Sequence, residues 1–348
     1  MPNARATHLT RRGILAAGGA LGLGAVLAAC GDDDAKTEGS SEATTAAKSG
    51  PWTFKDDRGT TVKLDKVPTK IVAFVGVAAA LYDYGIEVKG VFGPTKTQDG
   101  KADVQAGDMD VSKLTVFGNV WDQFNVEQYA AFAPEVLIST TFDSTGTLWY
   151  VPEASKDKIA KLAPSAAISV YDRQLTKPLE RMWELAESLG ADMKADKVAQ
   201  SKKDFEAAAE RLRKAAKARP EIKVMAGSAS QDIFYVSGTN LSIDLEYFKV
   251  LGVNFVEPPE SAKKEGGGWF ESLSWENVDK YPADIIMMDD RSSTIQPADI
   301  TEATWKKLPA VKAGQVIARS PEPILSYDKC TPLLTSLAEA IEKAKKVS

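Results

Sequence analysis

Cysteine and histidine are almost absent from this chain of 348 residues. Its two cysteines, Cys30 and Cys330, are too few for a disulfide framework or a four-cysteine metal site. Its one histidine, His8, lies in a stretch that reads as a cleaved leader. Without histidine, catalysis by Ser-His-Asp or Cys-His groups, histidine-ligated zinc and haem with an axial histidine are excluded. The G-x-S-x-G motif of α/β hydrolases is also missing, and we predict that the protein is not an enzyme.

Long apolar runs are missing too, apart from one near the amino terminus. There, Arg11 and Arg12 precede an uncharged run over residues 13–29 that is rich in glycine and alanine. A run of 17 residues is short for a membrane span, and with the paired arginines it is typical of a Tat-type secretory signal. The run leads into Leu-Ala-Ala-Cys, which looks like a lipobox ending at Cys30. We predict that residues 1–29 are a Tat-type lipoprotein signal peptide and that Cys30 is lipidated, with an uncleaved anchor as the alternative.

Large apolar side chains are absent from residues 31–50, which therefore cannot pack into a core. We predict that residues 30–50 form the lipidated cysteine and a flexible tether. Removal of residues 1–29 leaves 40 basic and 48 acidic residues, a net charge of −8. An acidic surface disfavours nucleic acid as a partner. We expect an exported monomer, anchored by the lipid on Cys30 to the outer face of the cytoplasmic membrane.

Short apolar runs alternate with helical stretches from residue 51 onward. This alternation indicates βαβ units and mostly parallel sheets. Strands are predicted over residues 61–64, 71–74, 88–92, 136–139, 167–170, 223–226, 233–236, 285–288 and 316–318, and helices include residues 78–84, 126–133 and 156–162.

One mid-chain stretch, residues 178–219, consists almost entirely of helix formers, with Gly190 as an interruption. The run before Pro220 predicts a helix of about 27 residues, or about 40 Å, which is longer than a crossover within one small sheet needs. We therefore predict an α/β fold of two Rossmann-like lobes joined by one long rigid helix, with a ligand cleft between the lobes. The amino-terminal lobe covers residues 51–177 and the carboxy-terminal lobe residues 220–348, with the interlobe helical region between them.

Arginine is scarce, since the chain beyond the leader has eight arginines and 32 lysines. Three of the eight follow predicted strand ends: Arg173, Arg291 and Arg319. Ligands of open α/β sheets bind outside the carboxyl ends of the strands, and the planar guanidinium group suits carboxylates and other oxyanions. These arginines are candidate ligand-binding residues, although an ion pair of Arg291 with a neighbouring aspartate explains its position equally well. The arginines on the helical stretch are interpreted as solvated.

Large aromatic side chains also concentrate in predicted loops. Flat side chains around a cleft suit a bulky, partly apolar ligand, while anchoring of a loop is the alternative for each of them. The candidates are Trp121, Trp149, Tyr150, Trp269, Phe270 and Tyr327.

Other features carry less information. The pair Asp289-Asp290 is weak evidence for a metal, so no metal site and no cofactor are predicted, and Cys330 is expected to be a half-buried thiol near a helix start.

Two segments, one in each half, follow the same order of features. Residues 125–138 begin with Asn-x-Glu and continue through a helix, a proline and an acidic residue to a strand, and residues 274–286 begin with Ser-x-Glu and continue in the same way. Together with residues 57–72 and 305–316, they resemble the class III substrate-binding proteins of ABC importers, the family that binds ferric siderophores, haem and cobalamin. The resemblance covers about residues 51–348.

The resemblance assigns roles to particular residues. In the family, one glutamate on each lobe docks into arginine pockets of the permease, and the matching positions are Glu127 and Glu276. Charge complementarity of this kind suits recognition of a two-part permease dimer; a glutamate favoured at a helix amino terminus is the alternative. Cleft aromatics six residues before each glutamate correspond to Trp121 and Phe270.

The predicted function is capture of an iron–siderophore complex and its delivery to an ABC transporter permease. Because histidine is absent beyond the leader, direct ligation of a metal is disfavoured, and iron would arrive already bound in its chelate. A cobalamin or haem receptor of the same family is the alternative, since tyrosine can still ligate haem. A structural or sensory lipoprotein without a transport role is the alternative from another class. A lyase that uses paired carboxylates also stays open, although no such pair stands out.

Overall fold

Two β-sheets flanked by helices make up most of the protein in a computed structural model that describes residues 50–348. The predicted signal peptide, the predicted lipidation of Cys30 and nearly all of the predicted tether lie outside the described residues. Among residues 50–348, no helix has both the length and the apolar character that crossing a membrane requires.

The amino-terminal lobe contains a hairpin and a parallel sheet. Its five-stranded sheet has the order β5-β4-β3-β6-β7, which is the 3-2-1-4-5 order of a doubly wound fold with a switch point between β3 and β6. Strands β3 and β6 are buried along their whole length because helices cover both faces of a parallel sheet. The elements are β1 (Trp52–Lys55), β2 (Thr61–Leu64), β3 (Ile71–Phe74), α1 (Val75–Asp83), β4 (Gly90–Phe92), β5 (Thr115–Val116), α2 (Val126–Phe132), β6 (Val136–Thr141), α3 (Lys156–Leu162) and β7 (Ser165–Ser169).

Two helices connect the lobes: α4 (Thr176–Ser188) and α5 (Asp196–Ala218). The helical conformation is interrupted between them at Gly190, whose φ of 103° lies in the left-handed region that favours glycine. The 23 residues of α5 span about 35 Å, so the predicted long helix is present and slightly shorter than expected.

The carboxy-terminal lobe contains a mixed sheet with the order β11-β9-β8-β12-β13. Strands β8, β12 and β13 are parallel, whereas β9 folds back on β8 as a hairpin and β11 is antiparallel to β9. The antiparallel edge was not predicted. The elements are β8 (Lys223–Ala229), β9 (Ile233–Ser237), α6 (Ile243–Val250), β10 (Asn254–Phe255), β11 (Phe270–Ser274), β12 (Ile285–Asp289), α7 (Ala303–Lys307), α8 (Pro309–Lys312), β13 (Val316–Arg319) and α9 (Tyr327–Lys343).

The long helix α5 does not stand alone, because α9 packs along it. The two helices share one apolar interface, to which Phe205 and Leu212 contribute from α5 and Leu334 from α9. The guanidinium group of Arg211 adds ion pairs to Glu339 and Glu342 on α9. The α/β fold with two sheets and a long connecting helix is thus confirmed, and α9 packs along that connecting helix.

Three local expectations are corrected. Arg181 is not simply solvated: its Nε donates to Asp57 at 2.7 Å, and this contact ties α4 to the β1–β2 hairpin. Cys330 is fully buried instead of half-buried, its thiol donates to the Ile324 carbonyl oxygen, and burial raises its pKa. Phe270 begins the edge strand β11 and does not lie in a loop.

Candidate ligand-binding site

A cavity of about 780 Å³ lies between the two lobes, and we call it the interlobe cavity. Its amino-terminal wall comes from the loops that follow β5 and β6. Its opposite wall comes from β9, from the start of β11 and from the carboxyl ends of β8, β12 and β13. The position agrees with the rule that open α/β sheets bind ligands outside the carboxyl ends of their strands, and the volume is within the usual range of small-molecule sites.

A cluster of aromatic rings forms the amino-terminal wall. The centroid of the Trp149 ring lies 4.7 Å from that of Trp121 and 4.5 Å from that of Phe142, and Tyr150 contacts Trp121 at 5.1 Å. Phe142 also reaches the ring of Trp269 on the other lobe at 6.3 Å. Because 58% of Trp121 is exposed, a large apolar face is available to a ligand at the cavity mouth.

The backbone beside the two tryptophans is strained. Asp122 and Tyr150, the residues that follow Trp121 and Trp149, have φ values of 61° and 59°. Non-glycine residues seldom adopt this left-handed conformation, and strained residues cluster at functional sites. A backbone hydrogen bond fixes the position of Trp149, since its N–H donates to the Thr140 carbonyl oxygen at 2.9 Å.

Arg319 lies at the base of the cavity, at the carboxyl end of β13. Its guanidinium group donates to both carboxylate oxygens of Asp244 on α6, at 2.8 and 2.9 Å, and to the Ser237 hydroxyl at 3.2 Å. Arg319 and Asp244 are almost completely buried. The ion pair therefore fixes the guanidinium plane and neutralises its charge within the cavity wall.

Arg291 follows the end of β12 and is also paired with carboxylates. Its Nη2 donates to Asp289 at 2.7 Å, and its Nη1 donates to Glu322. Despite the cost of burial, hydrogen bonds and attraction from the two carboxylates keep the pKa of Arg291 above its ordinary value. The ion pair with a neighbouring aspartate that the sequence suggested is present, and Arg291 lines the cavity as well.

The ionisable groups that line the cavity are mostly acidic. Arg291 and Arg319 are accompanied by five acidic residues, Asp122, Asp143, Glu153, Asp289 and Glu322, of which Glu153 is paired with Lys156. Asp244, which pairs with Arg319, adds a sixth behind the wall. The lining therefore favours a neutral or positively charged ligand over an anion.

Seven of the nine predicted ligand-binding residues line this one cavity, and two do not. The seven are Trp121, Trp149, Tyr150, Trp269, Phe270, Arg291 and Arg319. Arg173 turns away and lies 3.8 Å from Asp57. Tyr327 begins α9 with its ring buried against Trp183 and Phe205, so it belongs to the interface of the connecting helices. Neither lines the interlobe cavity, because their side chains contact other elements, and the ligand-binding role of the predicted residues stays a prediction.

The acidic residues that the sequence raised as a weak metal site have other partners. Asp289 pairs with Arg291, and Asp290 accepts a hydrogen bond from Ser320 at 2.7 Å. A different group of three carboxylates, from Asp83, Asp108 and Asp328, lies elsewhere in the described part of the chain, within 4.8 Å of one another. There the Lys329 ammonium group lies 2.6 Å from Asp108.

Sequence reasoning missed several residues of the site, among them Phe142, Tyr235, Asp244 and Glu322. Phe142 directly follows the end of β6, and Tyr235 packs against Phe270 at 5.0 Å from the neighbouring strand β9. A search for every large or charged residue next to a strand end would have found Phe142. Asp244 and Glu322 could have been noticed only as acidic residues in otherwise apolar or proline-rich segments.

Glu127 and Glu276 are exposed in the first turns of two short helices. Glu127 belongs to α2, whose cap residue Asn125 donates its N–H to the carbonyl oxygen of Phe117 just beyond β5. Glu276 lies in a single 3₁₀ turn after β11, where the Trp275 indole donates to the turn of the β8–β9 hairpin. Each glutamate therefore lies at the same sheet edge as the interlobe cavity.

Comparisons with known proteins agree with this architecture. The family model described as periplasmic binding protein matches residues 73–323. The chain is 26% identical over 328 residues to the iron(3+)-hydroxamate-binding protein FhuD of Bacillus subtilis (strain 168), covering 90% of this chain and 92% of FhuD.

Solved structures that are similar to this protein include DesE, a ferric-siderophore receptor protein from Streptomyces coelicolor. It is 80% identical, with a TM-score of 0.84, and the match covers 85% of this chain and all of DesE. FhuD2 from Staphylococcus aureus with bound ferrioxamine B has the same fold, at 21% identity and a TM-score of 0.51, over 79% of this chain and 98% of FhuD2. The protein belongs to the periplasmic binding protein family.

Proposed function

We propose that this protein is an extracytoplasmic solute-binding lipoprotein that captures a ferric siderophore of the hydroxamate type and delivers it to an ABC importer. The observation that carries the proposal is the interlobe cavity, in which aromatic rings from both lobes surround two arginines that are already paired with carboxylates. The family and the similarity to DesE, described as a ferric-siderophore receptor, support the same substrate class.

The charge of the lining supports hydroxamate over catecholate chelates. Three hydroxamate groups balance the charge of Fe³⁺, so the iron core of a trihydroxamate is neutral. A ferric tricatecholate carries three negative charges, which the five carboxylates of the lining would repel. The name of the Bacillus subtilis relative, an iron(3+)-hydroxamate-binding protein, points in the same direction.

The side chains of the cavity suit iron that arrives already chelated. Apolar rings such as Trp121 and Trp149 can pack on the organic backbone of the chelate. The guanidinium hydrogens of Arg291 and Arg319 that are not used in ion pairs can donate to the oxygens that bind iron. No protein group has to enter the coordination sphere, because the siderophore supplies the ligands.

The proposal includes attachment to the membrane through Cys30, following cleavage of the Tat-type signal peptide. A lipid at Cys30 and a tether over residues 31–50 would keep the cavity close to the importer. Mass spectrometry of the membrane-extracted protein is expected to find an amino-terminal peptide that starts at a diacylated Cys30. An unmodified peptide that begins upstream of Cys30 would contradict the anchor and leave the binding function unaffected.

Delivery needs a surface that the importer recognises, and we assign it to Glu127 and Glu276. Both are exposed, and each lies at the sheet edge that faces the cavity. One carboxylate on each lobe suits a permease built from two similar subunits with positively charged pockets.

Binding is tested with residues 51–348, titrated by intrinsic tryptophan fluorescence. The chelates are a ferric trihydroxamate, a ferric tricatecholate, ferric citrate, haem and cobalamin. We expect saturable quenching by the trihydroxamate with a Kd below about 1 μM, because Trp121, Trp149 and Trp269 line the cavity. The tricatecholate is expected to bind at least about tenfold more weakly, because the lining is acidic.

Binding of haem or cobalamin alone would overturn the siderophore assignment and keep a receptor of the same family. Tight binding of the tricatecholate alone would overturn the hydroxamate preference. No binding by any chelate would favour a structural or sensory lipoprotein.

A further inference from the structure

Glu322 lies on a short, stiff segment between β13 and α9. Its neighbours are Pro321 and Pro323, and both the proline ring and the position before a proline restrict the backbone. The Glu322 side chain is only 9% exposed, so its carboxylate faces the interior of the protein at the cavity wall. A buried carboxylate is costly unless its oxygens are hydrogen-bonded.

Both carboxylate oxygens of Glu322 have partners, and these come from both lobes. Oε2 accepts from the indole Nε1 of Trp149 at 3.0 Å and from the amide Nε2 of Gln105 at 2.9 Å, both in the amino-terminal lobe. Oε1 pairs with the Nη1 of Arg291 in the carboxy-terminal lobe. Glu322 therefore links an aromatic wall residue to a cationic wall residue across the cleft.

The contact also sets the charge that Arg291 presents to a ligand. Asp289 already neutralises the guanidinium group of Arg291 through bonds to its Nε and Nη2. Glu322 is a second carboxylate on the same group, so the cluster of the three residues carries a net negative charge. The three residues are largely shielded from water. Charges in such a site interact more strongly than charges at an exposed surface.

We propose that Glu322 is a positioning residue that holds the Trp149 ring and the Arg291 guanidinium group in place and makes the cavity select against negatively charged chelates. The inference rests on the proposed siderophore function and adds to it a residue that governs affinity and charge selectivity. Glu322 acts through its neighbours, since Trp149 and Arg291 present the surfaces to the ligand.

Two variants of the full exported chain separate positioning from charge. Glu322→Ala removes both roles, whereas Glu322→Gln keeps the size of the side chain and one acceptor oxygen but removes the charge. The probes are ferrioxamine B, whose neutral iron core carries a pendant ammonium group, and its N-acetylated form, which is uncharged. Fluorescence titration gives a Kd for each combination.

Glu322→Ala is expected to weaken binding of both probes by about tenfold or more, because hydrogen bonds to a charged partner are lost from two wall residues. Glu322→Gln is expected to weaken binding of ferrioxamine B several-fold more than binding of its acetylated form. The matched control is Glu135→Gln. Glu135 accepts backbone hydrogen bonds from Thr69 and Lys70 at the opposite, amino end of β6, and both Kd values should stay at the wild-type level.

A ligand-free measurement tests the geometry separately. The indole N–H proton of Trp149, assigned by its loss in Trp149→Phe, should resonate downfield because it donates to a carboxylate. Glu322→Ala should move this signal upfield, and Glu135→Gln should not move it.

The outcomes separate the role of Glu322 from the proposed function. If wild-type protein binds both probes and the Glu322 variants bind them equally well, with an unmoved Trp149 signal, the inference about Glu322 is overturned and the proposed function stands. If wild-type protein binds neither probe, the proposed function fails and the selectivity role of Glu322 fails with it. In that case, a Trp149 signal that moves in Glu322→Ala would still support the contact itself.

Discussion

Replacing Arg319 with methionine is expected to lower the free energy of unfolding by about 3–5 kcal/mol, because it leaves the buried Asp244 carboxylate without its partner. Arg319 and Asp244 are 4% and 1% exposed, and two hydrogen bonds join them. Methionine retains the apolar stem of the arginine side chain but not its guanidinium group, so we expect the loss of charge compensation to outweigh the loss of packing. Chemical denaturation monitored by circular dichroism gives the free energy.

Two further variants make the result specific to the ion pair. Adding Asp244→Asn to Arg319→Met removes the uncompensated charge and should restore part of the lost stability. Arg211→Met removes exposed ion pairs between α5 and α9 and should leave the denaturation midpoint close to that of the wild type. If Arg319→Met and Arg211→Met destabilise the protein equally, Arg319 is not a structural element of the cavity base.

The double variant Glu127→Ala with Glu276→Ala is expected to abolish uptake of the iron chelate while leaving its Kd unchanged. The carboxylates are exposed and absent from the lining of the cavity, so their removal should not alter capture. If the proposed docking role is right, uptake is lost because charges at the rim of an interface guide association and orientation. Uptake of radioactive iron by cells that carry only the variant gives the transport rate, and fluorescence titration gives the Kd.

A matched double variant controls for the loss of two negative charges. Glu180→Ala with Glu206→Ala removes two exposed carboxylates from α4 and α5, away from the sheet edges, and should transport at the wild-type rate. Normal uptake by the Glu127/Glu276 variant would refute the docking role. A variant with weakened ligand binding would instead place one of these glutamates in the capture site.

The lobes are joined by more than the helices α4 and α5. The Ser326 hydroxyl, just before α9, donates to Asp83 on α1, and Lys329 on α9 pairs with Asp108 at 2.6 Å. Across the cleft, the Ser292 hydroxyl donates to Asp103. These bonds and the α5–α9 pair oppose a large hinge rotation, so we expect only a small closure on binding.

Much of the fold was predictable because it depends on local patterns. Strands β2 and β3 have the predicted bounds, since alternation of polar and apolar residues in β2 and a short apolar run in β3 specify them without help from distant residues. The two-residue strands β5 and β10 were missed because they exist only through pairing with a neighbour. Likewise, β11 is formed by pairing with the hairpin strand β9 and not by its own β propensity.

The sequence by itself determined which side chains could serve the site: it has no histidine other than His8, few arginines, and aromatic residues beside strand ends. It could not decide which of them meet, because Arg173 and Arg319 both follow strands and are equivalent in the local pattern. In the tertiary structure Arg173 lies beside Asp57, away from the cavity, whereas Arg319 pairs with Asp244 in the cavity wall. The physical reason is that these ion pairs join residues far apart in the chain, and packing of the lobes alone decides which charges are buried together.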